Sequence, residues 1–151
     1  MTDYPVQLKL EHQICFALYA CSREMTKLYR PFLDELGITY TQYVTLLVLW
    51  ERDNVSVKQL GEQLLLDSGT LTPLLKKLEA MGLITRVRDA KDERSVLVQL
   101  TEEGKALREQ AVCIPEKVYS LTGMDLEEGQ QLRERLQQLV QDMQRLQGSS
   151  F

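Results

Sequence analysis

The hydrophobic period of this sequence changes from helical to alternating at one place. Leu71, Leu74, Leu75 and Leu78 recur at helical steps up to Gly82. Leu83–Arg88 then alternates apolar and polar, and Ser95–Leu100 does so less strictly. The charged, turn-like run Asp89–Arg94 joins the two, which makes a β-hairpin. Upstream, Ser56 with Gln59 three residues on is a capping box that opens a short helix through Leu64. Asp67-Ser68-Gly69 leads into the next helix, about Thr70 to Met81, with Pro73 near its start, where a missing N–H costs least. Short helix, turn, helix and hairpin is the order of a winged helix-turn-helix. The predicted fold is therefore mainly α with a small β-hairpin wing.

Long helical patterns flank this middle. Leu10, Ile14, Ala17, Cys21, Met25 and Leu28 form one stripe that predicts a buried helix face over Leu8–Leu36. Pro31 should kink or end that helix, and Gly37 should stop it. A second helix starts near Thr41 and buries Tyr43, Leu46, Leu47 and Trp50. After the hairpin, Thr101-Glu102-Glu103 caps a helix that runs to about Cys113, where Ile114-Pro115 interrupts it. A last helix covers about Asp125 to Gln147, with Leu132, Leu136, Leu139, Met143 and Leu146 as a coiled-coil-like seam. Such a seam needs an acceptor. A symmetric dimer built from both ends of two copies supplies one, and an intramolecular helical hairpin is the alternative. The resulting organisation is 1–36 and 102–147 for dimerisation, 41–101 for the winged helix-turn-helix and 148–151 as a frayed tail.

Composition removes several classes of function. Apolar residues are 44% and charged residues 26%, the balance of a globular chain. No apolar run approaches the roughly 18 residues of a membrane span. Met1–Pro5 has neither the basic flank nor the apolar stretch of a signal peptide, so a cytoplasmic protein with free thiols is expected. With one histidine, His12, and three scattered cysteines, neither a metal cluster nor a histidine-based catalytic pair has material, and no cofactor is implied.

The net charge of −4 argues against a chain that is basic all over, but not against a local patch. From Lys76 to Arg94 there are six basic residues and four acidic ones. Ser68, Gly69, Thr70 and Thr72 open the second helix of the motif, where small hydroxyls and N–H groups can approach phosphates and base edges. Lys76 and Lys77 lie further along it, and the hairpin adds Arg86, Arg88, Lys91 and Arg94. Arg94 sits near the hairpin tip, where a guanidinium can enter a narrow minor groove, with Asp92 placed to orient it. These are the candidate contacts to double-stranded DNA; a dimer would read a pseudo-palindromic operator.

Cys21 lies on the apolar stripe and reads as a small core residue. Cys15 is one position off it, on a face with His12, Tyr19, Ser22, Thr26 and Tyr29. Phenol donors near a thiol favour its thiolate, the species that peroxides oxidise. Inert packing is the competing reading of a single helical cysteine. Tyr29 is fourteen residues from Cys15, about 21 Å along a straight helix at about 1.5 Å per residue, so it cannot touch its own Cys15 there, whereas an antiparallel copy of the helix could place a Tyr29 beside it.

The run Asp67–Leu75, the following Gly82-Leu83-Ile84, the wing Asp92-Glu93-Arg94-Ser95 and Leu100-Thr101-Glu102-Glu103-Gly104 resemble MarR-type transcription regulators. Cys15–Ala20 and Tyr40-Thr41-Gln42-Tyr43 are similar to one branch, the OhrR-like organic-hydroperoxide-sensing repressors, and the resemblance spans Leu8 to Gln147. It implies that Cys15 is the sensing thiol, in a pocket completed by Tyr29 and Tyr40 of the other subunit, with Tyr19 nearby. It implies that an organic hydroperoxide releases the repressor from DNA. The family forks at the next step. A low-molecular-weight thiol caps the oxidised cysteine, or a second cysteine, here Cys113, closes an intersubunit disulfide. The apolar neighbours Ala111, Val112 and Ile114 favour packing for Cys113 and hence the thiol cap. Two other readings stay open: a regulator answering to a reversibly bound phenolic ligand, and a thiol peroxidase with Cys15 as turnover nucleophile.

Overall fold

The computed structural model describes residues 5–150, which divide into a unit reaching to Pro115 and a second beginning at Glu116. Two 3₁₀ turns, Val6–Leu8 and Leu10–His12, precede α1, Ile14–Leu36. The predicted entry at Leu8 is therefore two turns early. Pro31 lies inside α1 without ending it, and Gly37 stops the helix in the left-handed conformation at φ 70°. Thr39 then caps α2, Tyr40–Glu51, through a capping box: its Oγ1 accepts from the Gln42 N–H, and Gln42 Oε1 accepts from the Thr39 N–H.

α2 is apolar nearly all round, as befits a helix that packs on α1 and on four later elements. Because its apolar residues mark no single face, its periodicity is a poor guide: Tyr43, Leu46 and Leu49 are buried, whereas the predicted Leu47 is exposed. Those four are α3 (Val57–Leu64), α4 (Ser68–Ala80), α5 (Glu102–Ala111) and the strand β3 (Val96–Leu100); the other strands are β1 (Val55–Ser56) and β2 (Ile84–Arg88). Ser56 and Gln59 form the predicted capping box of α3. Leu71, Leu74, Leu75 and Leu78 of α4 are all buried, as their spacing predicts.

The hairpin β2–β3 is one strand short of the observed sheet. β1, only two residues long, pairs antiparallel with β3 (Val55 opposite Val98), giving the order β1-β3-β2. Beyond the end of β1, Asp53 Oδ1 accepts from the Leu100 N–H at 2.9 Å. At the other edge Glu79 Oε2 accepts from the Arg86 N–H at 3.1 Å. The root of the wing is tied to the start of α5. Thr101 caps α5 through its Oγ1, which also donates to the Gly82 carbonyl, while its N–H donates to the Leu83 carbonyl at 3.1 Å.

In the second unit, α7 spans Leu126–Ser150 and Asp125 caps it, accepting from the Glu128 N–H at 2.9 Å. The helix runs through Gly148 rather than fraying there, since one glycine costs a helix only about 1 kcal/mol relative to alanine. Phe151, like Met1–Tyr4, lies outside the described residues. Between the units the chain does not merely break at Ile114-Pro115. A short helix, α6 (Ile114–Leu121), begins there, with Pro115 in its first turn, where proline is favoured. Cys113 thus lies in the turn after α5 rather than within it.

The largest departure from the sequence expectation is the stripe on α1. Within one chain Leu33 is the only fully buried residue of that helix, and Ile14 and Cys21 are exposed. Leu132, Met143 and Leu146 of the α7 seam are exposed as well. Periodicity reports that a face is apolar, not which molecule covers it. No helix among the described residues is long and apolar enough to cross a membrane.

Candidate functional site

Two groups of candidate residues lie in the first unit. The first surrounds α4 and the wing. Ser68, Gly69 and Thr70 are exposed on the opening turn of α4, and Lys76 and Lys77 are exposed further along. That opening turn is not a set of free donors, because Asp67 Oδ1 accepts from the Thr70 N–H at 2.7 Å. Hydrogen bonds from the Thr70 backbone and side chain hold the Asp67 carboxyl below its ordinary range. The turn offers the hydroxyl of Ser68 beside a fixed negative charge that engages Thr70.

The wing tip is built by its acids. Asp92 Oδ1 accepts from the Arg94 N–H at 3.1 Å and Asp89 Oδ1 from the Lys91 N–H at 2.9 Å, while the Ser95 N–H donates to the Asp92 carbonyl. Asp92 therefore orients Arg94 through its backbone rather than its guanidinium. Arg88 Nη1 donates to the Glu93 carbonyl at 3.2 Å. Arg86 is turned inward: its Nη2 and Nε donate to Glu79 at 3.1 and 3.4 Å. Arg86 bonding holds the Glu79 carboxyl below its ordinary range. Arg86 thus fixes the wing to the end of α4 rather than presenting a free charge. Between α3, α4 and the wing lies a cleft of about 450 Å³ lined by Lys58, Thr72, Arg86, Asp92 and Arg94. Lys58 was not singled out by sequence because it stands outside the basic run; its place in the first turn of α3 was the available signal.

The second group is aromatic. Tyr29, from α1, and Tyr40 and Tyr43, from α2, gather into one cluster. Ring centroids are 5.1 Å apart for Tyr29–Tyr40, 5.6 Å for Tyr29–Tyr43 and 6.3 Å for Tyr40–Tyr43. Tyr43, read from sequence only as core, lies beneath the other two at 2% exposure, while Tyr40 is 37% exposed. Burial, then the neighbouring Tyr29 and Tyr40, push the Tyr43 phenol up to about 12, and burial, then Tyr40, also raises Tyr29. Tyr43 meets Trp50 edge-on at 6.5 Å, and the Trp50 indole N–H donates to the Gly104 carbonyl of α5 at 2.8 Å.

The cluster does not include its expected thiol. Cys15 lies exposed in the first turn of α1, with Tyr19 one turn on, exposed and carrying the Arg23 guanidinium 5.4 Å from its ring centre. The fourteen residues from Cys15 to Tyr29 separate them by about 21 Å of helix. Within one chain Cys21 and Cys113 are exposed too. At Cys113 the flanking Ala111 and Ile114 turn inward while Val112 is 72% exposed. Among the described residues no group of three or more His, Cys, Asp or Glu is arranged to hold a metal ion.

Residues 27–110 match the transcriptional regulator SarA/Rot family. The chain is 55% identical over 136 residues to the organic hydroperoxide resistance transcriptional regulator of Bacillus subtilis, covering 90% of this chain and 92% of that protein. It is 43% identical over 131 residues to the HTH-type transcriptional regulator SarZ of Staphylococcus saprophyticus, covering 87% and 90%. Among solved structures it is similar to reduced AbfR bound to DNA, at 35% identity and a TM-score of 0.74 over 91% of this chain and 95% of that one. AbfR, from Staphylococcus epidermidis, has also been solved with a disulfide formed, at a TM-score of 0.59 to this chain.

Proposed function

We propose, from the premise that this chain belongs to the MarR-type transcription regulators and within them to the OhrR-like branch, that it is a DNA-binding repressor released when an organic hydroperoxide oxidises Cys15. The observation that carries this reading is the separation within α1. Its thiol is at one end, the Tyr29–Tyr40 pair is at the other, and the apolar face between them is bare within one chain. A second copy running antiparallel covers that face and brings each Cys15 to the tyrosines of its partner. Residues 1–36 and 102–147 then form the dimer. Residues 41–101 bind a pseudo-palindromic operator, with α4 in the major groove and Arg94 of the wing in the flanking minor groove.

The chemistry follows from the donors. Phenol O–H groups beside the thiol favour its thiolate. The thiolate sulfur attacks the outer peroxide oxygen, the O–O bond breaks, and the alkoxide leaves and takes a proton to become the alcohol. Cys15 is left as sulfenic acid. A low-molecular-weight thiol then condenses with it, forming a mixed disulfide and releasing water. The exposure of Cys113 favours a second route, in which that thiol condenses with the sulfenic acid of the partner. A disulfide there requires the two Cα atoms within about 7 Å.

The test is operator binding by reduced protein with and without one equivalent of organic hydroperoxide. Parent protein is expected to bind and then release, and Cys15→Ser to bind and ignore the oxidant. Release of Cys15→Ser by the same oxidant, or by a phenolic effector, would remove the thiol from the mechanism. Consumption of many equivalents of peroxide per chain would make it a peroxidase instead. Oxidation without added thiol decides the fork. A dimer-sized species on a non-reducing gel, lost in both Cys15→Ser and Cys113→Ser but kept in Cys21→Ser, establishes Cys113 as the resolving thiol.

A further inference from the structure

Resting on that sensing reading, we propose that Trp50 is the positioning residue that transmits a change at the tyrosine cluster to the root of the wing. Three successive contacts make the line, all inside the first unit. Tyr29 and Tyr40 lie against Tyr43, Tyr43 meets Trp50 edge-on, and the Trp50 indole is bonded to the Gly104 carbonyl, 54 positions further along the chain.

Each contact is poorly able to absorb displacement. Tyr43 is 2% exposed, so it has no solvent into which to retreat when the rings above it move. Close-packed interiors pass such a shift on to the next neighbour. The far end of Trp50 is held by a directional bond at 2.8 Å, which a ring serving only as filler would not need. Gly104 is held in turn. Without a Cβ, the first turn of α5 lies directly on the Leu83 carbonyl, and the Thr101 N–H bonds the same oxygen. Leu83 immediately precedes β2, the strand that carries Arg86 into the wing. Movement of the indole is therefore movement of the α5 turn against the wing root. The tyrosines and the DNA-facing Arg94 share no direct contact, and this line supplies the coupling between them.

Trp50 is the chain's single tryptophan, so its emission reports this position without a label. The experiment uses full-length reduced protein on a palindromic operator duplex, one equivalent of cumene hydroperoxide, and three readouts: Cys15 thiol titration, Trp50 emission and operator release. In the parent, emission is expected to change as Cys15 is consumed and release to follow, with neither change in Cys15→Ser. Trp50→Phe keeps an apolar ring but loses the N–H donor. It is expected to oxidise Cys15 at the parent rate while its operator affinity falls at least tenfold less than the parent's. Tyr43→Leu interrupts the line one step earlier and is expected to oxidise without an emission response.

Parental release by oxidised Trp50→Phe overturns the proposal, and so does parent release with no change in emission; the second readout needs no variant to fold. Failure of the sensing reading is distinct. There the parent itself keeps the operator after Cys15 is consumed, or Cys15 is not consumed at all, and the transmission proposal falls with it.

Discussion

Replacing Gly104 by alanine tests whether the turn of α5 is pinned to the wing root. A Cβ built at that position falls far inside the 3.0 Å that real Cβ atoms keep from the Leu83 carbonyl oxygen, and it also meets Leu83 C at 3.1 Å and Leu100 Cδ2 at 3.2 Å. The obstacle is backbone, and its oxygen already accepts from the Thr101 N–H, so no flexible side chain can swing away. Overpacking of this kind costs about 1–3 kcal/mol, and a rigid obstacle puts this site at the upper end. Alanine returns up to about 1 kcal/mol of helix propensity, which leaves a net loss of about 2 kcal/mol. For a chain of this length that lowers Tm by roughly 6 °C. Urea unfolding of Gly104→Ala beside Gly148→Ala, whose Cβ meets open space, checks it. The second variant is expected to lie within about 0.5 kcal/mol of the parent. An unchanged or raised urea midpoint in Gly104→Ala would refute the close approach of α5 to the wing. Because the same step displaces the wing, operator affinity is expected to fall with stability.

Other consequences are separately measurable. Arg94→Ala is expected to weaken operator binding by roughly 1–3 kcal/mol and to flatten its salt dependence, seen by titration at several salt concentrations. Glu79→Gln removes the charge that holds Arg86; hydroxyl-radical footprinting should then lose the flanking minor-groove protection while the central half-site contacts persist. Tyr43, pushed up to about 12 from an ordinary 10.0, favours its protonated form in the fold. That contribution is fully present below pH 10 and is lost as pH rises through about 12. Tyr43→Phe is expected to lose less stability than the parent across that window in alkaline urea titrations.

The parts legible from sequence were those fixed by local chemistry. The Ser56–Gln59 box, the Gly37 stop and the buried Leu71–Leu78 face depend on residues within a turn or two of one another. β1 was missed because two residues cannot display an alternation, and its pairing partner lies over forty residues away. Pro115 read as an interruption because proline marks the first turn of a new helix as readily as the end of an old one. Arg86 read as a free cation because its partner Glu79 belongs to another element. At the aromatic site, Tyr29 and Tyr40 were named on resemblance. Tyr43 was not, since a tyrosine on an apolar helix gives no sign of which rings it meets.

Both edges of the small sheet end on a carboxylate, and that bears on how the protein avoids its own kind. An open strand edge is a template for intermolecular β pairing. On one side the edge is β2, and its central outward N–H, that of Arg86, is already taken by Glu79. On the other, β1 is too short to shield the end of β3, and Asp53 takes the Leu100 N–H left beyond it. Each acceptor occupies an N–H with which a neighbouring strand would have to pair. Because Arg86 holds Glu79 ionised below the ordinary carboxylate range, the guard on β2 persists into acid. The wing can therefore project into solvent with neither edge open to strand-to-strand pairing.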